Sequence, residues 1–155
     1  MITKISILGK ENSTKTRLTK DLACYYNTNF VLDYKYLIFG SFEKTPECED
    51  YLKISNDRLS LENWLLKSSN KILFSDTDDF SLYLDVSKKF PKNKKVKEEI
   101  LSRVLNKKFD YYFLINPTDE IISEANKLKL NIEIFKGEYD EIKNKCISFI
   151  NKSIN

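Results

Sequence analysis

Residues 4–23 read KISILGKENSTKTRLTKDLA. An apolar run rich in β-branched residues ends at Gly9, a polar loop follows, and the pair Lys15-Thr16 then opens a helical pattern. This order of strand, polar loop and helix is typical of a phosphate-binding loop, because backbone N–H groups and the positive end of the helix dipole converge on phosphate oxygens. The stretch therefore predicts a site for a di- or triphosphate where the first strand meets the first helix.

The loop matches the template G-x-x-x-x-G-K-[ST] at every position but one, because Thr14 stands where the second glycine belongs. In that template the lysine reaches the outer phosphates and the hydroxyl residue binds Mg²⁺. We therefore predict ATP and Mg²⁺ as cofactors, Lys15 as a catalytic cation and Thr16 as a metal ligand. The alternative interpretation is an ordinary polar turn between a strand and a helix. The predicted cofactor-binding residues are Gly9, Lys10, Glu11, Asn12, Ser13, Thr14, Lys15, Thr16 and Arg17.

The composition limits the chemistry that this chain performs. With 155 residues it is long enough for a substantial core, and we expect a single domain over residues 1–155. The formal net charge of +3 gives no sign of nucleic-acid binding. The sequence contains no histidine, which excludes an imidazole base, a Ser-His triad and a His-ligated zinc site.

The cysteines bear on the location of the protein. The three cysteines have no C-x-x-C spacing, and the sequence shows neither a signal peptide nor a membrane-spanning stretch. These features favour a reducing, cytoplasmic location. Cys24 and Cys146 fall on apolar faces of helical patterns, and we interpret the thiols as inert.

Short apolar runs alternate with helical patterns along the chain, which indicates an α/β fold. We predict a three-layer α/β/α P-loop NTPase fold with a five-stranded parallel sheet. The predicted strands are residues 2–8, 30–32, 72–75, 111–115 and 132–135, and the predicted long helices are residues 14–26, 51–68, 80–86, 96–107, 119–128 and 139–150. A short helix is predicted at residues 36–42, and a solvated basic turn at residues 88–97.

The helical patterns also predict the positions of individual side chains. Within residues 51–68 the apolar positions include Trp64, which we predict to be buried. Within residues 96–107 we predict that Leu105 points inward with the other apolar residues. Thr118 is predicted to cap the next helix, whose first turn is acidic as the helix dipole favours.

Polar residues follow the second, third and fourth predicted strands at the point where each strand ends. Asp33 and Tyr34 follow the second strand, Asp76 and Asp78 follow the third, and Asn116 follows the fourth. Because ligands of parallel α/β sheets bind outside the carboxyl ends of the strands, we expect these side chains to meet the loop after the first strand. Carboxylates there suit phosphoryl transfer, in which one holds Mg²⁺ and another takes the proton of an attacking hydroxyl.

These positions give a set of predicted roles. We predict Asp76 as a metal ligand and catalytic residue, and Asp33 as the general base. Asp33, Tyr34 and Asp78 are predicted to bind the substrate. The simpler alternatives are a helix-capping role for Asp76 and a turn-forming role for Asp33, since aspartate is favoured at both kinds of position.

With these residues assembled, the chain resembles the ribosylnicotinamide kinase domain of NadR-type proteins, a P-loop kinase group. The loop at residues 9–16 shares a glutamate and a serine with that family in addition to the template positions. The pair Asp33-Tyr34 and the run Asp76-Thr77-Asp78 match family motifs after the second and third strands, and Phe109-Asp110 and residues 131–134 are also similar. The resemblance implies ATP as phosphoryl donor, a nucleoside such as nicotinamide riboside as acceptor, and a place in NAD biosynthesis.

The chain departs from this family at two places. Lys35-Tyr36-Leu37 follows the acidic-Tyr pair, where the family has a small residue, an arginine and a glutamate, and residues 116–130 contain no arginine where the family carries a lid. Two hypotheses therefore stand: an ATP-dependent small-molecule kinase, or a degenerate relative that binds a nucleotide as a regulatory or protein-interaction module. A GTPase switch is disfavoured because no N-K-x-D segment reads guanine.

Overall fold

The computed structural model describes residues 1–9, 13–33 and 46–154. The predicted short helix at residues 36–42, the loop residues Lys10, Glu11 and Asn12, and Tyr34 lie outside the described residues. The strands are β1 (Thr3–Gly9), β2 (Phe30–Val31), β3 (Ile72–Asp76), β4 (Tyr111–Ile115) and β5 (Ile132–Phe135). The helices are α1 (Ser13–Tyr25), α2 (Asp50–Leu66), α3 (Asp79–Lys89), α4 (Lys94–Asn106), α5 (Asp119–Lys127) and α6 (Tyr139–Ser153).

The five strands form one parallel sheet in the order β2-β3-β1-β4-β5. One face is covered by α1 and α6, whose buried side chains pack with Ile5 and Ile7 of β1. The other face is covered by α2, α3, α4 and α5, which pack with Leu8 and Leu114. Buried apolar strands covered on both faces account for the near-continuous hydrophobic runs in the sequence. The predicted three-layer α/β/α fold is confirmed.

β1 occupies the centre of the sheet, between β3 and β4. Its register pairs Ile7 with Asp76 and Gly9 with Ile115, so the end of β1 lies beside the ends of both neighbours. A Cβ atom at Gly9 would lie 2.7 Å from the carbonyl oxygen of Ile115, which is closer than real Cβ contacts. The close approach of β4 therefore requires glycine at this position.

Several predictions about single residues are corrected by the structure. Trp64 is 66% exposed, and the buried face of α2 instead carries Arg58 and Glu62. Leu105 is 45% exposed rather than inward, because the buried face of α4 is carried by its other apolar residues. Cys24 is also exposed. The Thr118 cap is confirmed, since its side chain accepts a hydrogen bond of 3.3 Å from the N–H of Ile121.

The described part of the chain contains no helix that combines the length and the apolar character needed to cross a membrane. The predicted cytoplasmic location stays a prediction.

Candidate functional site

The junction between β1 and α1 carries the predicted phosphate-binding residues. α1 begins at Ser13, so Lys15 and Thr16 lie in its first turn, beside the ends of β1 and β3. Lys15 is buried and Thr16 is half-buried. Thr14 is helical and is not among the residues with positive φ, so the conformational freedom of glycine is not required there.

Thr16 and Asp76 meet at this junction. The Thr16 hydroxyl Oγ1 donates a hydrogen bond of 2.5 Å to Asp76 Oδ2. Asp76 is the last residue of β3 and is 2% exposed. Its second oxygen, Oδ1, is buried and has no hydrogen-bond partner among the described residues. A buried carboxylate oxygen without a partner is costly, and such atoms commonly mark the place of a water or an ion.

The electrostatic setting of Asp76 also favours a cation. Burial raises the pKa of Asp76 above its ordinary value, while the hydrogen bond from Thr16 and the charges of Lys15 and Lys20 oppose this rise. A hydroxyl and a carboxylate are oxygen ligands of the kind that Mg²⁺ prefers. No group of three or more acidic or cysteine side chains among the described residues is placed to hold a metal. A magnesium ion at this pair would therefore complete its shell with phosphate oxygens and water, as is usual for Mg²⁺.

Asp33 lies next to this pair at the end of β2. Its side chain is buried, and its backbone lies close enough to Asp76 to lower the pKa of that carboxyl group. The ends of β2 and β3 and the start of α1 therefore meet at one edge of the sheet, as the sequence predicts. The general-base role of Asp33 stays a prediction.

Asp78 is placed differently from Asp76. It caps α3, and its side chain accepts a hydrogen bond of 3.2 Å from the N–H of Ser81. Burial raises the pKa of Asp78 to about 7, with Arg58 opposing and Asp79 adding to the shift. This geometry gives Asp78 a capping role, and its predicted contact with a substrate stays a prediction.

A buried charge network joins α2 to the turn after β3, and sequence reasoning missed it. Arg58 donates to Glu62 at 2.7 Å and to Asp79 at 3.1 Å, and Lys4 donates to Glu62 at 2.6 Å. Ser55 completes it by donating to Asp79 at 2.7 Å. The only signal in the sequence is the i,i+4 spacing of Arg58 and Glu62, which is equally typical of an exposed helix face.

Thr77 connects the two acidic residues of this turn. Its φ is 70°, a left-handed conformation that is uncommon for a β-branched residue. Its N–H donates to the carbonyl oxygen of Ile7 at 3.2 Å, and its own carbonyl accepts from the Ser75 hydroxyl. Strained backbone of this kind persists only where the surroundings hold it, and it clusters at functional sites.

Arg17, predicted to bind the cofactor, is exposed at the start of α1. Its guanidinium carbon lies 4.0 Å from the ring centroid of Tyr139 in α6. The Tyr139 hydroxyl donates to Asp21 at 2.5 Å, and this hydrogen bond lowers the pKa of Asp21. The cluster joins α1 to α6, and the cofactor contact of Arg17 stays a prediction.

Asn116 fixes the opposite side of the same edge. Its side chain donates to the carbonyl oxygen of Gly137 at 3.1 Å and accepts from the Gly137 N–H at 3.1 Å. Its own N–H donates to the carbonyl oxygen of Phe135 at 2.9 Å. This residue therefore connects the end of β4 to the turn after β5.

Comparison with known proteins places this geometry among related folds. No family model matches the chain. The trifunctional NAD biosynthesis/regulator proteins NadR of Salmonella typhimurium and Escherichia coli are each 33% identical to it over 78 residues. The match covers 48% of this chain and 19% of each relative, so the chain corresponds to a minor part of their length.

Solved structures extend the likeness over nearly the whole chain. A NadR protein in complex with NR superposes with a TM-score of 0.87 at 16% identity, covering 99% of this chain and 50% of that one. A NadR protein with NAD and AMP-PNP gives 0.81 at 16% identity over 97% and 49%. Thymidylate kinase from Ehrlichia chaffeensis gives 0.67 at 12% identity over 96% and 98%. The chain therefore shares the α/β fold of these proteins, and its predicted resemblance to NadR proteins is confirmed.

Proposed function

We propose that this chain binds ATP with Mg²⁺ at the β1–α1 junction and transfers the terminal phosphoryl group to a hydroxyl of a nucleoside-like small molecule. The observation that carries this proposal is the 2.5 Å hydrogen bond between Thr16 and Asp76, beside the buried Lys15 and with Asp76 Oδ1 unpaired. A first-turn hydroxyl, a lysine and a carboxylate after the neighbouring strand are the parts that hold a nucleotide phosphate and its magnesium ion.

Each side chain has a distinct role in this proposal. Lys15 and the first-turn N–H groups of α1 bind the phosphates. Thr16 and Asp76 would hold Mg²⁺, which would supply positive charge against the phosphate oxygens. Asp33 accepts the proton of the attacking substrate hydroxyl. The hydroxyl oxygen forms a bond to the terminal phosphorus, and the bond from that phosphorus to ADP breaks. The buried position of Asp33 beside Asp76 supports its role, since ligands of parallel α/β sheets bind at the carboxyl ends of the strands.

The similar structures indicate which ligands to test first. One NadR protein was solved with NR and another with NAD and AMP-PNP. We therefore propose nicotinamide riboside as the first acceptor to examine and AMP-PNP as the nucleotide probe. This choice would place the chain in NAD biosynthesis, with no nucleic acid or membrane as a partner.

A second candidate function is nucleotide binding without efficient transfer, as a regulatory or protein-interaction module. The observation that favours it is the placement of the three arginines of the sequence. Arg58 is buried against Glu62 and Asp79, and Arg103 pairs with Glu99 in α4. Of the three, Arg17 alone lies near the start of α1, over Tyr139. Since an arginine that stabilises the transferring phosphoryl group contributes about 10³-fold or more to the rate, the scarcity of arginine favours slow transfer.

A nucleoside panel separates the two functions. The purified protein is incubated with Mg²⁺-ATP and nicotinamide riboside or other nucleosides, and phosphorylated product is quantified. The kinase proposal expects turnover that is lost in Lys15→Ala and in Asp33→Asn and kept in Lys152→Ala, an exposed lysine at the far end of α6. Background turnover with calorimetric binding of AMP-PNP supports the second function. Absence of binding at millimolar nucleotide overturns both.

A further inference from the structure

Arg58 has no role in the proposed reaction, yet its side chain is 4% exposed and takes part in two ion pairs. Its Nη1 donates to Glu62 one turn along α2, and its Nη2 donates to Asp79, the first residue of α3. Asp79 is held further by the hydroxyl of Ser55, also in α2. The middle of α2 is therefore joined to the start of α3 by charged groups that are out of water.

The turn after β3 brings three carboxylates into four consecutive positions. Asp76, Asp78 and Asp79 are each 5% exposed or less. Buried like charges repel one another, and each needs a nearby cation or a proton. The positive charge of Lys15 attracts Asp76, whereas the positive charge of Arg58 attracts both Asp78 and Asp79. Arg58 therefore compensates the negative charge where the turn enters α3, and Lys15 does so where the turn leaves β3.

Thr77 connects these two ends through a strained backbone. Its left-handed φ of 70° turns the chain between Asp76, which faces Thr16, and Asp78, which caps α3. The hydrogen bond from its N–H to Ile7 ties the turn to β1. Thr77 is the one residue between Asp76 and Asp78, so a shift at the start of α3 would act on Asp76 through the Thr77 backbone.

We infer that Arg58 is a positioning residue for Asp76. By holding Asp79 and attracting Asp78, it keeps Thr77 left-handed and Asp76 against Thr16. The consequence for magnesium-nucleotide binding rests on the proposed function, whereas the consequence for the turn itself requires no ligand. The planar fork of arginine suits this role, because one side chain reaches carboxylates on two helices at once.

A charge-balanced variant tests the inference. Arg58→Met combined with Asp79→Asn removes the ion pair to the turn and leaves Glu62 paired with Lys4. The matched control is Arg103→Met, which removes another arginine that pairs at i,i+4 spacing and contacts α2 through the carbonyl oxygen of Leu52. Both are measured as the full chain, without ligand in the first readout and with AMP-PNP in the second.

The first readout is hydrogen exchange of the Thr77 amide, followed by NMR. The double variant is expected to exchange about tenfold faster or more at Thr77, because the hydrogen bond to Ile7 opens locally. Arg103→Met is expected to match the wild type there. If the double variant does not fold, Arg58→Lys keeps the positive charge but not the fork, and the same acceleration at Thr77 is expected. Wild-type exchange at Thr77 in the folded variant overturns the inference.

The second readout is AMP-PNP affinity measured with Mg²⁺ and with EDTA. In the double variant, the enhancement of AMP-PNP affinity by Mg²⁺ is expected to fall by about fivefold or more, within the range of typical coupling between two sites. Its affinity in EDTA is expected to stay at the wild-type level. An equal loss in both conditions overturns the inference, because it indicates general damage to the site. If the wild type binds no nucleotide, the proposed function fails, and Thr77 exchange alone decides the role of Arg58.

Discussion

The Thr16 hydroxyl donates to Asp76 across 2.5 Å, although the two residues are 60 positions apart in the sequence. The contact forms because α1 begins beside the point where β3 ends, and β3 is the neighbour of β1 in the sheet. The same contact satisfies one oxygen of a buried carboxylate, and the other has no hydrogen-bond partner among the described residues. A cation at this pair would gain two oxygen ligands that are already in place, which reduces the cost of ordering the site.

The hydroxyl of Thr16 is therefore the first group to change. Thr16→Val keeps the shape of the side chain and removes the ligand, so the enhancement of AMP-PNP affinity by Mg²⁺ is expected to fall by about 10- to 100-fold, as for the loss of a metal-site group. Thr16→Ser keeps the hydroxyl and is expected to retain most of the enhancement. Calorimetry with Mg²⁺ and with EDTA measures both. Full enhancement in Thr16→Val would remove Thr16 from the metal site.

The pH dependence of stability follows from Asp78. Burial raises the pKa of Asp78 from its ordinary value of 3.8 to about 7 in the fold. Because the folded state favours the protonated form, the stabilising contribution of Asp78 is complete below about pH 4 and is lost as the pH rises through 7. The Asp78→Asn variant still accepts a hydrogen bond from the Ser81 N–H but does not titrate. Its free energy of unfolding relative to the wild type is therefore expected to rise by about 1–3 kcal/mol between pH 5 and pH 8. Urea unfolding at both pH values measures this gain.

The neighbouring carboxylate provides the control. Asp79→Asn removes the charge that Arg58 pairs with at 3.1 Å. Leaving that arginine buried without one of its partners is expected to cost about 3–5 kcal/mol at both pH values. An equal effect of Asp78→Asn and Asp79→Asn at every pH contradicts the assignment of the titration to Asp78.

Two residues on α2 test which face of the helix supports the fold. Glu62 is 2% exposed and accepts from Lys4 and Arg58, whereas Trp64 is 66% exposed. Glu62→Ala is expected to lower the free energy of unfolding by about 3–5 kcal/mol, because it leaves a buried arginine underpaired. Trp64→Ala is expected to change it by about 0.5 kcal/mol or less. Denaturant unfolding of both variants measures the contrast, and a larger loss in Trp64→Ala contradicts the structure.

On α2 the predicted buried residue, Trp64, is exposed, and the charged residues Arg58 and Glu62 are buried. The sequence pattern does not indicate this arrangement. Leucines occur on several faces of residues 51–68, so the apolar pattern does not define one inward stripe. Arg58 and Glu62 look like a solvated i,i+4 pair until Lys4 and Asp79 are known to lie beside them. Those partners come from distant positions in the sequence, and no local pattern predicts them.

Other features were predictable because their causes are local or are general rules of sheets. The strands at residues 72–75 and 111–115 follow from continuous apolar runs, and the Thr118 cap follows from its acidic first turn. The meeting of Thr16 with Asp76 follows from the rule that parallel strands end at one edge. The order of the strands depends on long-range packing, and the sequence pattern did not define it.

Gly9 offers a test of strand packing that is separate from phosphate binding. Gly9→Ala places a Cβ atom 2.7 Å from the carbonyl oxygen of Ile115, so β1 and β4 must move apart. This overpacking is expected to lower the free energy of unfolding by about 1–3 kcal/mol. Thermal and urea unfolding measure the loss, and a stability equal to wild type shows that β4 accommodates the methyl group.

Thr14 decides between the two candidate functions, because it stands where the template has glycine. In the structure Thr14 is helical, half-buried and without positive φ, so its own backbone does not require glycine. Thr14→Gly is therefore expected to change AMP-PNP affinity by about threefold or less and to lower stability by up to about 1 kcal/mol, the usual cost of glycine in a helix.

Thr14→Ala is the matched control, since it removes bulk without adding backbone freedom. A rise in affinity of about tenfold or more in both variants, well above 1 kcal/mol in binding free energy, shows that the threonine side chain crowds the phosphates. That result favours the degenerate nucleotide-binding module, because the wild type would then hold its nucleotide weakly. A rise in Thr14→Gly alone shows that the loop needs a backbone conformation which threonine resists. Unchanged affinity in both leaves the scarcity of arginine as the remaining limit on turnover.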